Sequence, residues 1–436
     1  MKILHLCGGT LNSGATQGAT ALHKALLKKG IDSKLIFSKG AKSKDIPMAE
    51  PFFEAKIAQK LFNISTKWIE PRLLKRETTK KGHGLSIGVI GHPLFIQRKA
   101  IEEADIIHLH WINSRFIRTK AIQHFKKPIV WTLRDAWPYT GGCHYTTDCE
   151  RYKTGCGQCP LLGSTNSNDI TRRVVAAKEK HLPNDIRYIA LSNWTAEQAR
   201  DSYLLKDQSV QVILNGIDET FLTAPTSSKE AARKSFNLPA GKTLILAGAT
   251  KVDSKYKGYV QILPELPDSN DCHLVTFGRI SKALQAKIKI PATHLGTIAS
   301  AEALKQLYRA ADIFIAPSTQ EAFGKTLAEA GACGLPVVCY DIGGPKDIVE
   351  DRVTGYRVPK DDRAAFIKRT LDLAAAPVTR KAMGTAAIQR TQALFSPTTV
   401  AHQHISLYQQ MLSPNSIKEG QIADPSHPPV SATVQS

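Results

Sequence analysis

Short apolar runs that stop at glycine, proline or a charged residue recur along this chain, with stretches of helical spacing between them. Residues 2–7, 104–110, 128–133, 186–192 and 210–214 read as strands in the first half; 243–248, 272–277, 312–316 and 337–340 read so in the second. Helical patterns fall between them, including Ala19 to Lys29 closed by Gly30, and Thr195 to Leu205 behind a capping Asn193. This alternation predicts an α/β fold. At 436 residues the chain exceeds one ordinary core and suits two such units.

Chemistry concentrates at strand ends. In Pro317-Ser-Thr-Gln-Glu321-Ala-Phe-Gly324-Lys325-Thr-Leu-Ala-Glu329, a strand over 312–316 enters a polar loop, Gly324 opens a helix, and Gly334 and Pro336 close it before the next strand. Two carboxylates, Glu321 and Glu329, flank the helix start. The backbone N–H groups of Gly324 and Lys325 carry partial positive charge there and suit an anion such as a diphosphate. Main-chain donors for phosphate beside carboxylate acceptors for hydroxyls match the two halves of a sugar nucleotide.

The run 317–338 resembles the signature of the retaining family-4 glycosyltransferases of the GT-B fold, bacterial polysaccharide-biosynthesis type. That resemblance implies two Rossmann-like domains facing a cleft: residues 1–223 for the acceptor, 224–396 for the donor nucleotide, a helix 397–412 returning to the first domain, and a disordered tail 413–436. Asn215-Gly216-Ile-Asp218 resembles the turn at which such chains cross between domains. Lys257-Gly258, with Lys251 before it, is similar to the family's basic pair on the donor diphosphate. The resemblance further implies Glu321, Lys257 and His110 as catalytic residues, and Glu329, Gly324, Lys325, Lys251 and Gly14 on the donor. Arg134 and Asp135 fall on the acceptor side. Arg134 stands where the family usually has histidine; a guanidinium cannot act as a base, but it can fork onto a carboxylate or phosphate.

His110, Asn113, Arg134 and Asp135 all close apolar strands, which places them at the rim of the crevice above the sheet. The glycine-rich stretch from Gly8 to Gly18 follows the first strand and would let backbone approach a ligand, or serve as a plain tight turn. Cys143, Cys149, Cys156 and Cys159 lie within seventeen residues, a density that suits a structural zinc site, reduced thiols filling a loop core, or disulfides.

A formal charge of +20 points to an anionic partner. Between Lys34 and Gly91 the αβ order degrades. There Lys56, Lys60, Lys67, Arg72, Lys75, Arg76, Lys80 and Lys81 interleave with Ile57, Leu61, Phe62, Ile64 and Trp68. Such a segment suits an anionic bilayer surface or a helix packed on its own domain. No nucleic-acid module is present. Without a spanning run or a signal segment, the expected location is cytoplasmic, with peripheral attachment to the inner face of the plasma membrane. No Asp-x-Asp pair occurs, so catalysis is expected to need no divalent metal. Two rival expectations remain: a nucleotide-sugar epimerase of the same fold, and a non-catalytic basic membrane-surface binder.

Overall fold

The computed structural model describes residues 1–413 except 12, 76–83 and 299. Arg76, Lys80 and Lys81 of the basic segment, and the tail from 414 that was expected to be disordered, lie outside the described residues. Among those described, no helix is long and apolar enough to cross a membrane.

Two parallel sheets organise the chain. The first has seven strands in the order β3-β2-β1-β4-β5-β6-β7. They are β1 (Lys2–Thr10), β2 (Asp32–Lys39), β3 (Ala49–Pro51), β4 (Ile106–Leu109), β5 (Ile129–Leu133), β6 (Arg187–Ala190) and β7 (Val210–Val212). The second has six in the order β10-β9-β8-β11-β12-β13: β8 (Thr243–Lys251), β9 (Cys272–Arg279), β10 (Ala292–His294), β11 (Ile313–Ala316), β12 (Val337–Tyr340) and β13 (Gly355–Val358). The central strands β4, β5, β11 and β12 are buried at every position, which is why they read as continuous apolar runs rather than alternating ones.

The helices that matter below are α1 (Gly14–Lys28), α2 (Lys56–Thr66), α3 (Arg98–Glu103), α4 (Thr119–Ile122), α5 (Ala301–Ala310), α6 (Lys325–Ala332), α7 (Pro377–Phe395) and α8 (Pro397–Leu412). α1 ends as expected at Gly30, whose φ of 75° lets Gly30 N–H reach Leu27 O and Ile31 N–H reach Leu26 O. Its start differs from expectation. Gly14 and Gly18 lie inside the helix, not in a loop. Gly18 is there for closeness: a Cβ would stand 2.4 Å from an Arg134 Nη.

The chain crosses to the second domain just after β7. Ile217 and Phe221 already belong to the second core, and Ile217 N–H bonds Phe395 O at the end of α7. α8 then returns, with Pro397 in its first turn and Ser396 capping the Thr399 amide. Its Val400, Ala401, Leu407 and Tyr408 pack on Ile3, Leu22 and Leu26 of the first domain.

The two sheets meet at the carboxyl ends of their strands, and side chains from the facing loops bridge the gap. Lys325 donates to Gln17 (3.0 Å), Gln320 accepts from Thr147 N–H (3.2 Å), Asn193 donates twice to Asp347, and Lys360 pairs with Asp148 (3.1 Å). Tyr145 stacks on Tyr256 at 4.8 Å. The α/β, two-Rossmann expectation is met.

Candidate active site

On the donor side the polar loop after β11 turns on Gly324, whose φ of 105° is open to glycine and strained for other residues. Gly324 therefore cannot cap α6 with a side chain, and no acidic residue stands in the first turn. The first amides of α6 are left to whatever enters the cleft. The loop packs closely on the glycines opposite: Gly344 N–H bonds Glu321 O (2.9 Å), and a Cβ on Gly344 would meet Phe323 at 2.4 Å.

Glu321 and Lys257 form an ion pair, their side chains 20% and 30% exposed. Lys257 reaches it because Gly258 turns the chain at φ 70° directly beneath Pro317. An entering diphosphate would exchange Lys257 from carboxylate to phosphate. Glu329 lies deeper, one turn into α6, at 4% side-chain exposure. It accepts from Tyr308 Oη (3.3 Å) and pairs with Lys325 Nζ (3.2 Å). Burial raises its pKa above the ordinary carboxylate value, and Lys325 opposes that shift. Lys325 thus touches Glu329 on one side and Gln17 of α1 on the other. Gly14, three residues before Gln17, is exposed with open space around it. Lys251 is exposed at the end of β8 and is not drawn to Glu321.

On the acceptor side the expected rim position of His110 is corrected: it is 1% exposed, inside a stack of histidines. Its Nδ1 faces an Arg134 Nη at 3.3 Å, and its Nε2 contacts His5 Nδ1 at 3.0 Å. A guanidinium can only donate, so His110 Nδ1 accepts and its Nε2–H donates onward. His108 in turn holds Tyr408 Oη and Thr132 Oγ1, both at 2.7 Å. Burial lowers the pKa of all three histidines well below the ordinary value, so they are neutral at pH 7. The strand apex stays buried because α8 covers it, which the strand pattern does not reveal.

Arg134 spends its fork on His110 and Asn215 Oδ1 (2.7 Å). Burial lowers its pKa to about 10, so it keeps its charge. It ties the crossing turn to β5.

Asp135 lies two residues past β5, its side chain mostly buried. Its carboxylate accepts from Trp111 Nε1 (2.6 Å), Trp137 N–H (3.0 Å) and His144 Nδ1 (2.6 Å). His144 Nε2 then meets Ser86 Oγ at 2.9 Å. Neither Ser86 nor His144 was singled out from the sequence; His144 was hidden among cysteines and its partner lies fifty-eight positions away. Tyr145 joins the two walls, since both Glu321 and Asp135 act on its hydroxyl, which burial raises to about 12.

All eight cysteines are free. Cys143 and Cys159 hydrogen-bond each other, which holds Cys159 down at about 7 and Cys143 well above its ordinary value. Cys156 Sγ instead accepts Gly141 N–H at 3.2 Å. A tetrahedral zinc needs four sulfurs about 2.3 Å from one point. Among the described residues, only His5, His108 and His110 bring three ligand atoms within 4.8 Å of one another. The thiols as placed form a pair rather than a quartet. The histidine trio, with a guanidinium against it and both nitrogens of His108 engaged, is core packing.

Residues 228–390 match the family model described as glycosyl transferases group 1. The chain is similar to a putative colanic acid biosynthesis glycosyl transferase, WcaC, of Escherichia coli (24% identical, 70% of this chain and 76% of that one). It is also similar to a D-inositol 3-phosphate glycosyltransferase of Xylanimonas cellulosilytica, at 30% identity over 60% of this chain and 61% of that protein. Among solved structures, sucrose-phosphate synthase from Thermosynechococcus elongatus superposes with a TM-score of 0.66 (20% identity, 94% and 99% of the chains). Anabaena HepE in complex with UDP-glucose superposes at 0.63 (17% identity, 94% and 100%). The chain has the GT-B fold of these structures, and its second domain is similar to the glycosyl transferases group 1 family over residues 228–390.

Proposed function

We propose that this chain is a retaining glycosyltransferase that moves a hexose-type sugar from a nucleoside diphosphate sugar to a polysaccharide or lipid-linked glycan acceptor, in bacterial surface or extracellular polysaccharide synthesis. The observation that carries this reading is the Lys257–Glu321 pair at the open start of α6, with Glu329 buried behind it. Similar structures in complex with UDP, UDP-glucose and ADP support the donor class.

As the bond to the sugar breaks, negative charge grows on the leaving diphosphate. Lys257 and the first amides of α6 are fixed where that charge develops, so they stabilise the transition state more than the bound donor. Glu321, released from Lys257, orients the sugar and sits beside the developing cationic ring. Glu329 takes the ribose hydroxyls, with Lys325 turning outward to the phosphates. The acceptor enters along Asp135 and His144. Its hydroxyl attacks from the face the diphosphate leaves, and the departing phosphate takes the hydroxyl proton.

Nothing in this scheme calls on a divalent metal, so transfer is expected to survive chelation. Zinc on the cysteine loop is a separate proposal: it requires Cys149 and Cys156 to close on the Cys143–Cys159 pair, and metal analysis of the purified protein decides it. Attachment at the cytoplasmic membrane face belongs to the same reading.

The decisive experiment is a melting-temperature screen of nucleoside diphosphate sugars, since a ligand that favours the native state raises its stability. The stabilising donor is then used for turnover with Lys257→Ala and Glu321→Ala. Each loses at least about 10²–10³-fold in rate while remaining folded. Near-wild-type turnover in both would sink the reading. Isomerised donor in the absence of acceptor would show the epimerase instead.

A further inference from the structure

One cavity of the described chain stands apart from the cleft, lined wholly by the first domain. It opens on the outer face of the first domain, holds about 870 Å³, and lies between α3, α4 and the turn into β5, with Phe62 of α2 over it. That volume is typical of small-molecule sites, which run from roughly 300 to 1,000 Å³.

Its floor is apolar: Leu94, Ile101, Ala121 and Phe125, with Phe62 above them. His92 forms the inner wall among the rings of Phe52, Phe53, Phe62 and Phe116. Burial lowers it to about 3, so that wall is uncharged at neutral pH. The rim is cationic. Arg118, Lys126 and Lys127 stand on it and make no ion pair among the described residues, and the one rim carboxylate, Glu102, is bound by Arg98 at 2.7 Å. A dry floor under unpaired cations suits a ligand with a hydrocarbon body and an anionic head.

The surroundings agree. α2 and the turn after it leave Ile57 (74%), Leu61 (63%), Ile64 (52%) and Trp68 (58%) in solvent at helical spacing, beside Lys60 and Lys67. Glu70, which follows this stripe, is turned inward to Gly88 N–H (3.1 Å) and does not offset those lysines.

We propose that this cavity seats the hydrocarbon chain of a prenyl or alkyl phosphate, with the phosphate held by Arg118, Lys126 and Lys127. Naming that lipid as the anchor of the acceptor rests on the transferase reading; the binding itself does not.

The test uses the full chain and farnesyl phosphate below its micelle concentration, followed by calorimetry. Saturable one-to-one binding is expected. Ile101→Trp, which fills the floor from a partly exposed position, weakens it at least tenfold. Lys126→Glu with Lys127→Glu does the same, and raised salt weakens what remains. Farnesol binds more weakly, and inorganic phosphate at equal concentration does not displace the lipid. The proposal is overturned if the wild type shows no saturable binding, if both variants bind normally because the amphiphile sits on the α2 stripe, or if inorganic phosphate competes fully. Should Ile101→Trp unfold, the exposed charge-reversal pair carries the test alone. The donor-induced melting shift, measured on the same samples, is retained in every variant. Its absence from the wild type would count against the transferase reading and leave the lipid site standing.

Discussion

At the scale of single residues, the buried ionisable groups determine how this protein responds to pH. Burial raises the pKa of Glu329, against the pull of Lys325, so the folded state binds its proton more tightly than the unfolded state does. Its contribution is present below the ordinary value of 4.5 and is lost as pH rises through the higher folded value. Glu329→Gln removes that loss. Urea midpoints of variant and wild type, compared at pH 5 and 7.5, are expected to shift in favour of the variant at the higher pH, while donor affinity falls because the ribose acceptor is gone. The histidines run the other way. His5, His108 and His110 are lowered well below 6.5 and His404 to about 4, chiefly by burial, so unfolded chain takes up protons that the fold refuses. Stability from these groups is full above 6.5 and drains as pH falls toward their folded values. His404→Leu withdraws one such site, and the fall in melting temperature between pH 6.5 and 4 becomes shallower. An unchanged slope would mean that His404 titrates normally in the fold.

Elements were more legible than their ends. The strands followed from apolar runs bounded by glycine and proline, and Gly324 and Gly334 marked both ends of α6, because a left-handed turn leaves glycine in the sequence whatever the tertiary context. What misled was glycine inside a helix rather than at a turn: Gly14 and Gly18 read as loop, yet both lie in the first turns of α1, where Gly18 alone serves closeness, letting Arg134 lie against the helix. The burial of His110 was also invisible, since the ring stacked on it, His108, is held by Tyr408 of α8, three hundred residues further along. Asp135 could be placed at a strand end, but not its alliance with His144 and Ser86, because loop-to-loop contacts leave no period in the sequence. Gly258 tests this view of glycine. With φ at 70° and a Cβ that would stand 1.8 Å from Pro317 O, Gly258→Ala meets both strain and backbone. It is expected to cost about 2–3 kcal/mol, a melting temperature lower by roughly 4–12 °C, and to pull Lys257 off Glu321. Gly14→Ala, with nothing near its Cβ, serves as the control and leaves the melting temperature unchanged.

For the whole molecule, the question is what holds the two sheets face to face. Near the crossing the join is apolar: Leu191, Ile217 and Phe395 share one core. Across the mouth it is polar, made of the Asn193–Asp347, Gln320–Thr147, Lys325–Gln17 and Lys360–Asp148 contacts, with the Tyr145–Tyr256 stack between them. Gln320 apart, which is buried, these are exposed polar contacts that contribute about 0–1 kcal/mol each, so the mouth is held more weakly than the apolar join, and relative domain motion is the expected behaviour. The Asn193–Asp347 pair is the best lever, because it makes two bonds, at 2.8 and 2.7 Å, and touches neither carboxylate of the site. Asp347→Ala should leave each domain's stability nearly intact, within about 2–4 °C. Its effect belongs to the gap: solution scattering of the ligand-free variant should give a larger radius of gyration than the wild type, and a saturating nucleotide sugar should bring the two together. Donor affinity should fall by no more than about fivefold, because closing now draws about 1 kcal/mol from binding. Equal radii without ligand would mean that the mouth is locked by the stack and the remaining contacts, and that the donor enters a cleft already closed around it.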